Sequence, residues 1–417
     1  MLKKQTLRKL AIYFSAMVLL HGFLLWKARY DIESGLPDFS SFYTAAKMLR
    51  NGQGQQLYDL HLQEATQISA VPVSVQQRRA ALPYNHPPFE AVLFSPLASL
   101  SYLKAYWAWF VINLGLLMGI IVTVRKNLPG LREAPFFLWV PACLSFAPIF
   151  IALLQGQDSI LLLFCFSMVF AALRRCSDRW AGCWLGLALF KFQVVLPFIA
   201  PFFFLKRKAI VKTFLSVAGL LALIGWKAVG WQSSVHYPKF VWTLNHNARL
   251  RPLVQSQGTA SLYGVISSVT LGRHADLSLG LVVILSVILI AISTAIWRRA
   301  FLGESPHCEL AMPANLLIAV LLSYHIWTHD LSVLFLAVLL LLEFIASKPL
   351  LFRSWAKRVI LICIAILFCS PVTFFLLAYH KLYGIALVIL ALLLALIAEI
   401  LRLQKTGMVE AAKPCVN

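Results

Sequence analysis

The fold is decided by residues 181–205, which read AGCWLGLALFKFQVVLPFIAPFFFL and contain a single charge, Lys191. The run is long enough to cross a bilayer core, which needs about 20 apolar residues. Basic clusters nevertheless lie on both sides of it, at 174–179 and 206–212. One crossing would place one of these clusters on the outer face, against the positive-inside rule. We therefore predict two short helices that enter the membrane and return, with Lys191 near the bend.

The rest of the chain repeats this apolar pattern. Of its 417 residues 60% are hydrophobic and 13% are charged, about half the charged share of an ordinary soluble domain. The formal net charge of +21 comes from short loops between apolar runs, which is typical of a membrane protein and gives no reason to expect a nucleic-acid partner. The further runs are 10–26, 105–124, 135–153, 159–173, 209–229, 277–297, 311–327, 331–346, 359–378 and 384–401.

These runs predict an all-α, polytopic transmembrane helical bundle of about 12 helices, counting the two short ones. The basic clusters place both termini in the cytoplasm. We expect one transmembrane domain over residues 1–405 and a cytoplasmic tail over 406–417. Two long segments then lie outside, a first outer loop at 27–104 and a second at 230–276. The first carries interfacial helices, one of them ending at Asn51-Gly52.

Asp38 and Lys191 are the two leading candidates for chemistry. Asp38 opens the interfacial helix, where it is either a helix cap or a general base at the membrane surface. Lys191 is costly in hydrocarbon, by about 2.5–3.5 kcal/mol on insertion scales, and sits too deep to reach an interface. It therefore needs an anionic partner, which is either a carboxylate or a phosphate.

Further candidates lie in later segments. His325 and His329 are four residues apart beside Asp330, so on a helix they would share a face. The glutamate of the His-Glu-x-x-His zinc motif is missing, which favours contact with an anionic headgroup at the outer end of a helix over a metal site. In the second outer loop, Arg249 and Arg251 could each grip a phosphate or remain solvated.

Several segments, in order, resemble glycosyltransferase family 87, integral membrane enzymes of the GT-C class that include polyprenyl-phosphate-mannose-dependent mannosyltransferases. Two departures occur: His86 precedes the Pro-Pro pair, and Gln193-Val194 stands in place of the proline that follows the lysine of the family pattern. The matching segments are 38–46, 51–52, 57–59, 84–89, the turn 155–159 (QGQDS), 186–191 with its lysine, and 323–331 (SYHIWTHDL).

The resemblance implies an inverting transferase of the bacterial inner membrane that uses a polyprenyl-phosphate sugar, with mannose or another hexose or pentose, and no other cofactor. The acceptor is a hydroxyl of a glycan or glycolipid on the outer face. Asp38 matches the catalytic base, and no metal is expected. The donor phosphate is assigned to Lys191, His325, His329, Arg249 and Arg251. The acceptor pocket is assigned to Tyr43, His86, Gln157 and Asp330.

Two other functions compete with this prediction. Broken helices around Lys191 are also found at the midplane sites of secondary transporters, although no inverted repeat is visible in the sequence. An intramembrane metalloenzyme would use His325, His329 and Asp330 instead. A substrate-uptake assay and a metal analysis, respectively, distinguish these alternatives from a transferase.

Overall fold

The structure is a computed structural model that describes residues 4–78, 80–246, 259–270, 275–304 and 307–405. These residues form helices joined by short turns, and no β-strand occurs among them. The first third of the chain contains α1 (Lys4–Lys27), α2 (Arg29–Glu33), α3 (Phe39–Arg50), α4 (Leu60–Ala70), α5 (Pro72–Arg78), α6 (Pro88–Phe94) and α7 (Tyr102–Asn127). The middle contains α8 (Pro129–Arg132), α9 (Phe136–Leu144), α10 (Ala147–Gln155), α11 (Ser159–Arg174), α12 (Asp178–Leu187), α13 (Phe192–Phe204) and α14 (Lys208–His246). The last part contains α15 (Leu262–Val269), α16 (Ala275–Phe301), α17 (His307–Leu322), α18 (Leu334–Ser347), α19 (Ser354–Phe368), α20 (Ser370–Ala378) and α21 (Tyr383–Lys405).

Each apolar run predicted from the sequence is helical over most of its length, although the helix in the run 311–327 ends at Leu322 and the runs 135–153 and 359–378 are each bent. Within the described ranges, seven helical segments are long and apolar enough to span a membrane, or nine if the bent pairs α9–α10 and α19–α20 each count as one. The apolar helices α11 and α17 are shorter. The chain is therefore an all-α polytopic membrane protein, which confirms the predicted fold class.

The segment from Asp178 to Phe204 does not cross in one direction, although its length alone would allow it. A straight helix of that length would hold its ends about 40 Å apart at about 1.5 Å per residue. Instead, an Arg207 guanidinium nitrogen lies 2.5 Å from Asp178 Oδ2, so both ends meet on one side of the bundle. The reversal occurs at a 3₁₀ turn, Ala188–Lys191, where α12 ends and α13 begins. The predicted pair of entering and returning helices is confirmed.

The ends of the helices sort into two groups. Basic residues gather at one end of the bundle, where ion pairs join neighbouring helix termini, for example Lys348 to Glu309 at 2.8 Å. At the same end, the carboxylate of Glu343 accepts hydrogen bonds from the backbone of Gly130 and Leu131. The turn between α10 and α11, the tip of α12–α13 and the helices of the first loop lie at the opposite end. The bundle thus has a basic end and a polar, cavity-bearing end.

The helices of the first loop are packed inside protein. The predicted helix is present as α3, and it ends at Asn51 and Gly52 as expected. Nine of its twelve residues are buried, however, beneath α4, α6 and the 3₁₀ turn Ser95–Ser99. Protein rather than lipid therefore covers most of α3, and its position at the membrane interface stays a prediction. Its small residues let neighbouring helices cover it on nearly all sides.

The bend between α9 and α10, of 65°, sets the direction of the turn that follows. The ring of His21 on α1 lies 2.8 Å from the Leu144 carbonyl oxygen at this bend. Its other nitrogen lies 3.0 Å from Ser370 Oγ, where α19 and α20 bend by 66°. One buried histidine therefore links both broken helices, and α10 ends at the polar end of the bundle.

Candidate active site

A cavity of about 310 Å³ opens at the polar end of the bundle. Its walls include five separate parts of the chain: the start of α3, residues 82–87, the turn after α10, the tip of α12–α13, and residues 324–330. The candidate residues that line it are Asp38, His86, Gln157, Lys191, His325, His329 and Asp330. Seven residues that are widely spaced in the sequence therefore share one chamber.

Asp38 occupies the N-cap position of α3, but its side chain makes no capping hydrogen bond. The carboxylate instead accepts a hydrogen bond from Gln157 Nε2, 2.8 Å from Asp38 Oδ2. Its backbone N–H donates to Gln155 Oε1 at 3.0 Å. The side chain is only partly buried and borders the cavity. Of the two readings of Asp38, the geometry favours a carboxylate directed at the cavity over a helix cap.

The turn from Gln155 to Asp158 positions Asp38 in addition to connecting α10 to α11. Gly156 has a φ of +61°, a conformation that L residues with a side chain rarely adopt. A Cβ placed there would lie 2.7 Å from Cβ of Phe39, so the turn packs closely against the start of α3. This close approach allows Gln155 and Gln157 to hold Asp38 from two directions.

Lys191 is buried at the tip of the helix pair and has two carboxylate partners. Its Nζ lies 3.0 Å from Asp158 Oδ1 and 3.1 Å from Asp330 Oδ1. A buried lysine is stable only when such partners compensate its charge. The anionic partner that the sequence demands is thus a pair of protein carboxylates, although Lys191 also borders the cavity.

Asp330 is fixed by neighbours as well as by Lys191. One oxygen accepts from Ser159 Oγ at 2.9 Å and the other from the Trp327 backbone N–H at 3.1 Å. His329 Nε2 lies 3.6 Å from Asp330 Oδ2. These contacts hold the segment after α17 against the start of α11.

His325 and His329 do not share one helix, so this part of the prediction is wrong. α17 ends at Leu322, because Ser323 Oγ donates to the Gln193 carbonyl oxygen and the chain then turns. The Trp327 indole N–H donates to His325 Nε2 at 2.8 Å, which fixes that ring. Both histidines line the cavity, but from a non-helical turn and from the 3₁₀ turn His329–Val333 respectively.

His86 and Glu90 form a second polar group behind the cavity wall. His86 Nδ1 lies 3.0 Å from Glu90 Oε2 and 3.9 Å from Asp158 Oδ2. Burial and the nearby Lys191 charge lower the pKa of His86 to about 4. Burial raises the pKa of Glu90 to about 7. The Tyr58 hydroxyl donates to the His86 carbonyl oxygen at 2.9 Å, which anchors the segment.

Among the predicted site residues that the structure describes, Tyr43 does not contribute to this chamber. Tyr43 is buried away from it, where its hydroxyl donates to the Leu100 carbonyl oxygen at 2.8 Å. Tyr43 therefore supports the packing of the first loop and does not line the pocket. Arg249 and Arg251 lie outside the described residues.

The sequence did not single out Glu90 or Asp158 as site residues. Asp158 lies in the turn 155–159, and the need of Lys191 for an anionic partner was a signal that could have identified it. Glu90 is a lone acid in the apolar stretch PFEAVLF (88–94), which is as unusual as Lys191 in its own run. Both side chains are almost completely buried.

The fold and the cavity define an integral membrane protein with a polar, carboxylate-rich chamber at one end of a helical bundle. The family model of glycosyltransferase family 87 matches residues 84–324, more than half of the chain. The chain belongs to this family and is a membrane glycosyltransferase, which confirms the resemblance seen in the sequence. No curated protein and no solved structure matches it.

Proposed function

We propose that the protein transfers a hexose, with inversion, from a polyprenyl-phosphate donor to an acceptor hydroxyl at the polar end of the bundle. The observation that carries the proposal is the position of the Asp38 carboxylate. It makes no capping hydrogen bond to α3, and Gln157 holds it at the cavity. The polar end is then the outer, periplasmic side of a bacterial inner membrane, because the basic end faces the cytoplasm.

The reaction requires one general base and no strong general acid. Asp38 accepts the proton of the acceptor hydroxyl while the oxygen of that hydroxyl forms a bond to the anomeric carbon of the sugar. The bond from that carbon to the phosphate oxygen breaks, and the polyprenyl phosphate leaves with the electron pair. Because the leaving group is a stable anion, it needs no protonation, and a single displacement inverts the anomeric centre.

Polar groups that lack a hydrogen bond indicate where the sugar would bind. Gln157 Oε1 and Thr328 Oγ1 are buried, border the cavity and have no hydrogen bond to any described residue. Such groups are costly unless a ligand or water satisfies them. Both can bond sugar hydroxyls, and Gln157 would do so while its amide nitrogen holds Asp38. The cavity volume lies at the lower end of the range of about 300–1,000 Å³ for small-molecule sites.

The family match supports this transferase over the transporter alternative. The helix pair around Lys191 is present, but its lysine is paired to Asp158 and Asp330, which is a structural role that a transferase also needs. The proposed histidine metal site is not supported either. Among the described residues, metal-ligating side chains converge at His86, Glu90 and Asp158 instead.

The test is transfer in membranes that contain the protein, with radiolabelled polyprenyl-phosphate mannose and a panel of other lipid-linked hexoses and pentoses. Wild type should transfer one of these sugars. Asp38→Asn should lower the rate by about 100-fold or more, the usual contribution of a general base. The matched control is Asp31→Asn, an exposed acid in α2 of the same loop.

Full activity of the Asp38→Asn variant would remove Asp38 from the mechanism. If the protein transferred none of the lipid-linked sugars but did transfer the sugar of a soluble nucleotide sugar, the proposed donor would be wrong. Retention of the anomeric configuration in the product would contradict single displacement.

A further inference from the structure

Three side chains of metal-ligating type meet behind the cavity wall, a group that no part of the reaction above uses. His86 precedes α6, Glu90 lies in its first turn, and Asp158 comes from the turn before α11. One ligand atom of each lies within 4.8 Å of the others. His86 borders the cavity, while Glu90 and Asp158 are 1% and 0% exposed.

The contacts of His86 with the two carboxylates are close, but they are not hydrogen bonds. His86 Nδ1 and Glu90 Oε2 are 3.0 Å apart without the angle that a hydrogen bond needs. Lys191, 3.0 Å from Asp158 Oδ1, is the cationic partner of Asp158, and neither oxygen of Glu90 accepts a well-aligned hydrogen bond from a described residue. Two ligands of one small cation, each about 2.1 Å from it, lie about 3.0 to 4.2 Å apart. The distances of 3.0 and 3.9 Å from His86 Nδ1 fall in that range.

The charges of the neighbouring groups also favour binding of a cation. Glu90, Asp158 and Asp330 place three carboxylates in one buried region. In the part of the chain that the structure describes, Lys191 is the one lysine or arginine that pairs with them. Uncompensated carboxylates are strongly disfavoured inside protein. A divalent cation bound beside Glu90 and Asp158 would compensate these two carboxylates in their ionised forms.

We propose that His86, Glu90 and Asp158 bind one divalent first-row cation, such as Mn²⁺. An imidazole nitrogen with two carboxylates is a mixed ligand set that suits such ions better than Ca²⁺ or Cu⁺. This assignment replaces the sequence-based expectation that no metal is bound.

The position of the cation suggests its role, an extension that rests on the proposed function. Lys191 is neutralised by Asp158 and Asp330, so it brings little net positive charge to a donor phosphate. A cation beside His86 would lie at the cavity wall and supply that charge. A phosphate oxygen of the donor can then complete its coordination and be stabilised as the leaving group departs.

The test is direct binding of Mn²⁺ to the full-length protein in detergent after removal of metals with EDTA. The electron paramagnetic resonance signal of free Mn²⁺ should fall as one ion binds per chain. Glu90→Gln should weaken binding by at least about tenfold. The matched control, Glu133→Gln, alters an exposed glutamate and should bind like wild type.

Thermal melting of each variant shows whether it remains folded, and His86→Asn provides a second, less buried change. Absence of stoichiometric Mn²⁺ or Zn²⁺ binding by folded wild type would overturn the proposal. Equal affinity of wild type, Glu90→Gln and His86→Asn would also overturn it. Because binding is measured without any sugar, metal binding with no transfer from lipid-linked donors would refute the proposed function while supporting this site.

Discussion

Gln157 Nε2 donates a hydrogen bond of 2.8 Å to Asp38 Oδ2, and so joins the turn after α10 to the start of α3. The two residues lie in separate parts of the chain, and the close packing of Gly156 on Phe39 brings them together. The bond fixes one oxygen of the carboxylate, and in the proposed reaction the other oxygen would accept the proton of the acceptor hydroxyl. Gln157 is thus a positioning residue for the proposed base.

Gln157→Ala should lower kcat by about tenfold, because a misplaced base loses part of the roughly 10²–10⁴-fold contribution of general base catalysis. The KM for the lipid donor should change little, since the phosphate is bound elsewhere. Steady-state kinetics with a labelled donor measure both constants. Gln76→Ala, at an exposed position of α5, is the control. An unchanged kcat would show that Asp38 needs no such support.

Lys191→Met should destabilise the folded protein by about 3–5 kcal/mol, because Asp158 and Asp330 lose the cation that compensates them. The measurement is thermal or denaturant unfolding in detergent. A second change, Asp158→Asn, removes one of the unpaired charges and should recover part of the loss. Lys126→Met, at an exposed position near the end of α7, should be close to neutral. A stable Lys191→Met protein would mean that its carboxylates are neutral or paired elsewhere.

The reversal at Lys191 predicts which side of the membrane each end of the helix pair faces. In a variant without its eight native cysteines, Arg179→Cys and Lys208→Cys should react with an impermeant thiol reagent from the same side. Asn51→Cys, in the first loop, should react from the other side. Labelling of intact cells and of inverted vesicles distinguishes the two faces. Opposite labelling of positions 179 and 208 would contradict the reversal.

Much of this architecture could be predicted from the sequence, because its signals are local. The length of each apolar run predicts a membrane helix. The basic clusters on both sides of 181–205 required a reversal of the chain, which the Asp178–Arg207 ion pair confirms. The helix Phe39–Arg50 and the proline start of α6 followed from capping signals. Lys191 was identified because a charge in an apolar run is rare, and Asp38 because an acid opens the helix that follows the first span.

The parts that could not be predicted depend on contacts between distant segments. Glu90 and Asp158 meet only after α6 and the α10–α11 turn pack together, and nothing in either segment encodes that meeting. The burial of α3 depends on α4 and α6 covering its second face. The spacing of His325 and His329 suggested a helix, but the hydrogen bonds of Ser323 and Asp330 produce a turn there instead.

The pairing of Lys191 with two carboxylates has a consequence for how the chain is made. Asp158 precedes Lys191 during synthesis, whereas Asp330 emerges only after several further helices have left the ribosome. Until Asp330 emerges, Lys191 has one of its two carboxylate partners. During that time residues 181–205 resemble a single membrane-spanning segment to the insertion machinery. The final turn-back of this segment is therefore expected to be a late, post-insertional event, completed when the last third of the nascent chain arrives.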